Sequence, residues 1–355
     1  MTVTATPTPA RDTRGWPAWL VPLTAAWLGG WGALALLGTV TGAGYPFRAD
    51  RTYPELGLLR LLPDRLGPPV FAAVLLTAAV AVLAMAGTGR PSRPLRAALL
   101  GYGWAVAFAL AVVVPDTRVL PILGYLPMLV LGAPFGWPPV DYSTVFDWAL
   151  LAKVAALAGG VLLAVTLLAW GRRTAGACVA CGRDGTDRAW TTPAAAARWG
   201  RWAAWFAAAI PLCYAATRFA WVLGIPLGIS SDFLDELHET GLVWAGAGLG
   251  AFATVGAVLT VGLTRPWGER FPRWMPRLAG RRVPPRLALV PAILVALTVT
   301  GAGVAELGNP GHLLGGFSSA TAPLLLWPLW GPALGAAALA YHLRRRGACR
   351  RCGRD

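Results

Sequence analysis

The chain has 355 residues, 56% of them hydrophobic and only 13% charged, with a mean hydropathy of +0.56; this excludes a string of soluble domains and points to a fold embedded in lipid. Its formal charge of +15 comes almost wholly from arginine, Lys153 being the sole lysine. In a soluble protein that excess would point to nucleic acid, but the arginines stand in short segments beside apolar runs and no recognised nucleic-acid-binding module accompanies them, so membrane topology accounts for them and nucleic acid is set aside.

In chain order, residues 1–15 are rich in Thr and Pro and read as a disordered cytoplasmic tail. The apolar run after Trp16 is too long for a signal-peptide core, and no small-residue cleavage site follows it. A helix needs roughly 20 apolar residues to cross the hydrocarbon. Eight runs meet that requirement: Trp19–Thr41, Pro69–Ala86, Leu95–Val114, Phe146–Trp170, Trp202–Gly224, Thr240–Leu263, Leu287–Glu306 and Pro323–Leu343. A ninth run, 119–137, is shorter and interrupted by Pro121, Gly124, Pro127 and Pro134, which predicts a re-entrant or interfacial element. With eight crossings, the tail and the loops after even-numbered spans hold 24 arginines against five acids, and the remaining loops hold five against eleven. This is the positive-inside pattern; it places both termini in the cytoplasm, and the abundance of Ala, Gly, Pro and Arg fits the cytoplasmic membrane of a high-GC bacterium.

Two tails nearly repeat: 176–184 reads GACVACGRD and 347–355 reads GACRRCGRD. Each follows a span and an arginine cluster, and each closes a set of four spans in the same orientation. The expected fold is therefore all-α, with two parallel four-helix repeats: a first half over 16–175, a cytoplasmic linker over 176–196, a second half over 197–345 and a cytoplasmic tail over 346–355. Cys178 and Cys181, like Cys349 and Cys352, form a C-x-x-C-G knuckle. Two-residue spacing lets both thiolates of a pair face one ion, and two knuckles supply the four sulfurs of a structural zinc. A thiol redox pair and a plain reduced tail are the competing readings; a reducing compartment and polar tails argue against the redox one.

Lys153 and Arg218 lie within predicted spans, where ionisable groups normally face the bundle interior and find acids. Asp147, Glu239 and Glu306 stand at the corresponding outer helix ends, with Asp232, Asp235, Glu236 and His238 just before span six, so a ligand or ion-pair cluster of Lys153, Arg218, Asp147, Glu236, Glu239 and Glu306 is expected. Snorkelling and helix capping are the plainer alternative, the SSD stretch from Ser230 reading as an N-cap. The segment 265–286 carries Trp267, Phe271 and Trp274 among seven Arg and five Pro. Trp267, Arg270, Arg273, Trp274, Arg281 and Arg282 suit a headgroup layer of anionic lipid, with a membrane-protein partner as the rival.

The stretches PLCYAATRFAWVLGIPLGIS (211–230) and WGERFPRWMPRLAGRRVPP (267–285) resemble a group of multi-span membrane proteins from high-GC Gram-positive bacteria. That resemblance implies architecture and brings no catalytic residue with it. Walker A, G-x-S-x-G and H-E-x-x-H signatures are absent from the chain, and its three histidines, His238, His312 and His342, fall at span ends or in loops, which disfavours haem within the bilayer. The expected function is a non-enzymatic membrane component, a permease-like carrier or an envelope-complex subunit. The alternatives are a membrane enzyme acting on a lipid-linked substrate at the outer face through Lys153 and the acids, and a cytoplasmic zinc or thiol sensor.

Overall fold

The computed structural model describes residues 19–48, 57–136, 141–186, 188–308 and 325–354. The tail 1–15, His312 and the expected start of the last span at Pro323 lie outside them. The described elements are helical: α1 (Leu20–Thr41), α2 (Gly67–Gly87), α3 (Arg93–Phe108) continued by a π turn (Ala109–Val113), α4 (Val119–Gly132), a short α5 (Tyr142–Val145), α6 (Trp148–Thr174), α7 (Pro193–Val222), α8 (Ser231–Glu239), α9 (Leu242–Gly262), α10 (Pro285–Leu307) and α11 (Trp327–Arg345). Seven of them, α1, α2, α3 with its π turn, α6, α7, α9 and α10, are long and apolar enough to cross a membrane. The eighth expected span corresponds to α11, which has 19 residues but ends in His342, Arg344 and Arg345, groups that lower its apolarity.

Local chemistry explains where these helices start. The Asp147 carboxylate accepts the Leu150 N–H at 2.7 Å and caps α6, which runs on to a last turn holding Arg172 and Arg173. Ser230 caps α8 through the Phe233 N–H, as the SSD motif foretold. The expected linker 176–196 is shortened by its own sequence: Thr192 accepts from the Ala195 N–H, Pro193 takes the first helical position, and four alanines follow, so α7 begins well before Trp202.

Some helix pairings recur along the chain, although α2 touches α3 while α9 scarcely touches α10. α1 packs along α2 and α7 along α9; α3 and its π turn pack on α6 as α10 packs on α11; α1 also touches α6 as α7 touches α11. Large side chains fill the first set, where Leu28, Phe47, Leu75, Met85, Leu163 and Trp170 are buried. The second set relies on small residues: Ala204, Ala207 and Ala337 form its core with Tyr341, and a Cβ on Gly200 would lie 2.3 Å from that of Ala340. Such close backbone approach is how helices bind one another where lipid competes for every apolar surface.

One end of the bundle gathers the basic segments. Arg96 of α3 donates to the Thr174 hydroxyl at 2.8 Å and the Gly171 carbonyl at 3.0 Å; Arg344 of α11 pairs with Glu269 at 2.9 Å. The two CxxC knuckles lie at this end, the knuckle face. At the opposite, far face, Arg118 pairs with both Asp116 and Asp147. The chain between these acids, α4 included, therefore starts and ends at the same face. α4 has 14 residues, too few to span, and Pro121 sits in its first turn, where a missing N–H does no harm.

Candidate metal centre

The two knuckles leave the C-terminal ends of α6 and α11 and close in the same way. In the first, the Cys178 N–H donates to the Arg183 carbonyl at 2.9 Å and the Gly182 N–H to the Cys178 carbonyl at 2.7 Å; in the second, Cys349 N–H meets the Arg354 carbonyl at 2.9 Å and Gly353 N–H the Cys349 carbonyl at 2.7 Å. Each turn is completed by a glycine in the left-handed region, Gly182 at φ 77° and Gly353 at φ 71°, a conformation that favours a residue without a Cβ. The knuckles then lock to one another: Arg183 donates to the Arg354 carbonyl at 3.0 Å and to the Gly347 carbonyl at 3.1 Å, and Arg354 donates back to the Arg183 carbonyl at 3.2 Å.

This junction gathers the Sγ atoms of Cys178, Cys181, Cys349 and Cys352 within 4.8 Å of one another, with Cys181 and Cys352 at 3.6 Å. Four sulfurs at roughly 2.3 Å from one tetrahedral ion are roughly 3.8 Å apart, so the donor set fits zinc in both chemistry and spacing. Cys178 is buried and the other three are half-buried. Their acidities diverge. The backbone N–H groups of Cys352 and Arg351 draw the Cys349 thiol down to about 6 against a lesser burial penalty, with the Cys352 and Cys181 thiols assisting. Burial, followed by the Cys352, Cys178 and Cys349 thiols, pushes Cys181 up to about 11, only partly opposed by the Arg183 N–H. At Cys178 burial pushes upward but is outweighed by the N–H groups of Cys181 and Ala180 and by the Cys181 and Cys352 sulfurs, so that thiol also falls. One thiolate thus forms readily and opposes the next, a conflict that a divalent cation relieves.

Guanidinium groups surround the sulfurs. Arg172 donates to the Val179 carbonyl at 3.0 Å inside the first knuckle; Arg346 has a buried Nε with no acceptor among the described residues and is held below its ordinary value by burial and then by Arg183, with Cys181 opposing. A zinc tetrathiolate carries a net charge of −2, and this cationic surround offsets it.

The buried-charge cluster takes a different form from the expected one. Lys153 and Asp116 are 0% and 2% exposed and pair at 3.2 Å; the same Asp116 oxygen accepts from Arg118 at 3.1 Å, and Arg118 reaches Asp147 at 3.5 Å. Lys153 and Asp147 therefore belong to one network, but Asp116, which joins them, was not among the expected partners. The signal for it was the PDTR stretch that follows span three at the depth of Lys153. Arg218 lies elsewhere, its guanidinium 4.0 Å from the Trp221 ring and 4.5 Å from the Tyr214 ring, with its stem against Gly246 and Gly250 of α9. Glu236 and Glu239 are exposed on α8, and neither has an ion pair among the described residues. His238 meets the Trp221 carbonyl at 2.8 Å, and Glu306 is half-buried near the end of α10. A far-face pocket of about 690 Å³ is lined by Asp147, Arg48 and Tyr45, and not by Lys153, Arg218 or Glu306. Of the lipid-facing set, Arg270, Arg273, Arg281 and Arg282 are exposed, as are Trp274 at 77% and Trp267 at 39%.

Comparison with protein-family models, curated proteins and solved structures finds no match to this chain, so its function is argued from its own geometry.

Proposed function

We propose that the chain is a non-enzymatic multi-pass component of a bacterial cytoplasmic membrane, a permease-like carrier or complex subunit, built as two parallel four-helix repeats that one structural zinc fastens at the cytoplasmic face. The observation that carries this reading is the convergence of four thiols from knuckles 171 residues apart in sequence onto a site of tetrahedral-zinc size. The duplicated order of helix neighbours supports the repeat. α11 supplies the eighth crossing, which returns the C terminus to the side of α1's start. Anionic lipid headgroups are the expected partners of the arginines on that face.

The enzyme reading loses support because, among the described residues, the far-face pocket is lined by Asp147 and not by Lys153, Arg218 or Glu306. Lys153 is neutralised by Asp116 and fully buried, so it cannot meet a substrate without breaking that pair.

Elemental analysis of the full chain purified in detergent tests the proposal. About one equivalent of zinc is expected per chain, and Cys181→Ser with Cys352→Ser is expected to lose it while circular dichroism shows the helices intact. Metal-free protein with freely alkylated cysteines would overturn the zinc clip, and reporter fusions placing residue 355 outside the cytoplasm would overturn the eight-span topology.

A further inference from the structure

The segment between α9 and α10 is folded into a roof. Arg270 and Arg282 form an isolated antiparallel bridge; the Phe271 N–H donates to the Arg281 carbonyl at 3.0 Å, Gly280 N–H to the Phe271 carbonyl at 3.0 Å and Val283 N–H to the Glu269 carbonyl at 2.9 Å. The Trp267 ring lies so close to Gly262 that a Cβ there would sit 2.4 Å from it. Arg345 pins the roof to α11 through the Glu269 carbonyl at 3.1 Å and the Val283 carbonyl at 2.7 Å, and Tyr341 through the Gly268 carbonyl at 3.0 Å.

Beneath the roof a cavity of about 740 Å³ separates α9 from α10 and reaches α11; Leu259, Leu287, Pro291, Val295 and Leu334 wall it, and Phe271 closes the top. α9 and α10 are consecutive yet scarcely touch. The slot therefore opens sideways, where Leu259 and Leu287 are 61% and 59% exposed. The hydroxyl in its wall, Thr260, is bonded to the Gly256 carbonyl at 2.8 Å, and apart from the indole N–H of Trp330, which has no acceptor among the described residues, the lining is largely apolar. The outer side of the roof is the opposite: Arg270, Arg273, Arg277, Arg281 and Arg282, neighbours in sequence of the lining residues Phe271, Pro272, Trp274 and Val283, are exposed and have no ion pair among the described residues, while the single acid of the roof, Glu269, is engaged by Arg344 at 2.9 Å and Arg345 at 3.9 Å.

We infer that this slot holds an acyl chain of an anionic phospholipid from the leaflet at the knuckle face, with the lipid phosphate among Arg270, Arg273, Arg281 and Arg282. An apolar slot open to the side takes a hydrocarbon tail, and the uncompensated arginines on the roof that covers it suit a phosphate. The volume suits a small amphiphile and not a helix about 10 Å across. This inference rests on the membrane reading above and deepens its lipid partner to a defined site.

The test reconstitutes the full chain in phosphatidylcholine vesicles containing a minor share of phosphatidylglycerol with a diazirine at its acyl terminus, followed by photolysis and peptide mapping. Cross-links are expected to concentrate between residues 256 and 295, about tenfold above those from a matching phosphatidylcholine probe. Ala292→Trp should fill the slot and abolish them. The surface variant R270Q/R273Q/R281Q/R282Q, which leaves the packing untouched, should remove the preference for phosphatidylglycerol without changing zinc content. Labels spread evenly over all lipid-facing helices, or a preference that survives the arginine variant, would overturn the site. Failure of the membrane reading looks different: the chain would stay out of the vesicles and no segment would be labelled, which removes the lipid site as well.

Discussion

At the knuckle face four thiols, each a potential anion, converge with no cation among the atoms that face one another; at the far face two carboxylates, Asp116 and Asp147, alternate with two cations, Lys153 and Arg118. Both centres withdraw ionisable groups from water, and both join distant parts of the chain. Their balance differs. The far-face network pairs opposite charges within itself, whereas the sulfur cluster gathers ligands of one kind, neutral as thiols and in want of a cation once they ionise. A buried group of like-signed ligands therefore marks a site made for a guest, and a buried group of alternating sign marks a structural joint.

Breaking the self-balanced joint should have the largest effect. Lys153→Met leaves the Asp116 carboxylate buried beside Arg118 alone, and a loss of about 3 kcal/mol or more is expected in thermal unfolding of detergent-solubilised protein. Lys153→Met combined with Asp116→Asn removes both charges and should recover most of that loss; if the double variant is no better than the single one, the joint is not electrostatic. An intermediate effect is expected at the sulfurs. In zinc-free protein, Cys349 should be alkylated first as pH rises, since its thiolate predominates above about 6, while Cys181 should lag until pH approaches 11; zinc should protect both. Mass-spectrometric mapping of iodoacetamide adducts against pH reads this order, and equal rates for the two would remove the distinction between the knuckles. The smallest effect belongs to the exposed clasp around the four sulfurs. Arg183→Ala and Arg354→Ala each remove hydrogen bonds at the surface and should cost about 1 kcal/mol or less, with a double-variant coupling measurable by thermal unfolding because each side chain holds the other's carbonyl.

Much of this was legible in the amino-acid sequence. Helix positions follow from apolar run lengths, and the knuckles from a nine-residue motif that recurs after two arginine clusters; local chemistry is enough for both. Arg218 was misleading, because its depth suggested an acidic partner, yet Tyr214 and Trp221 stand four residues before and three after it, on the same helical face, and that spacing already described the aromatic sandwich. Asp116 escaped notice because loop acids are usually solvated, and nothing local reveals that residues 57–61 cover it: a Cβ on Gly57 would lie 3.3 Å from that of Asp116. The lipid slot could not be read at all, since it depends on α9 and α10 standing apart, a tertiary fact with no signature in either helix.

The π turn at Ala109–Val113 is a close meeting point of helices distant in sequence. Gly160 of α6 and Gly301 of α10 both press on it, a Cβ on the first lying 2.7 Å from the Ala111 nitrogen and on the second 2.9 Å from the Val112 carbonyl. This close approach sits toward the far face and the four thiols gather at the knuckle face, so parts of the chain distant in sequence meet at both ends of the bundle.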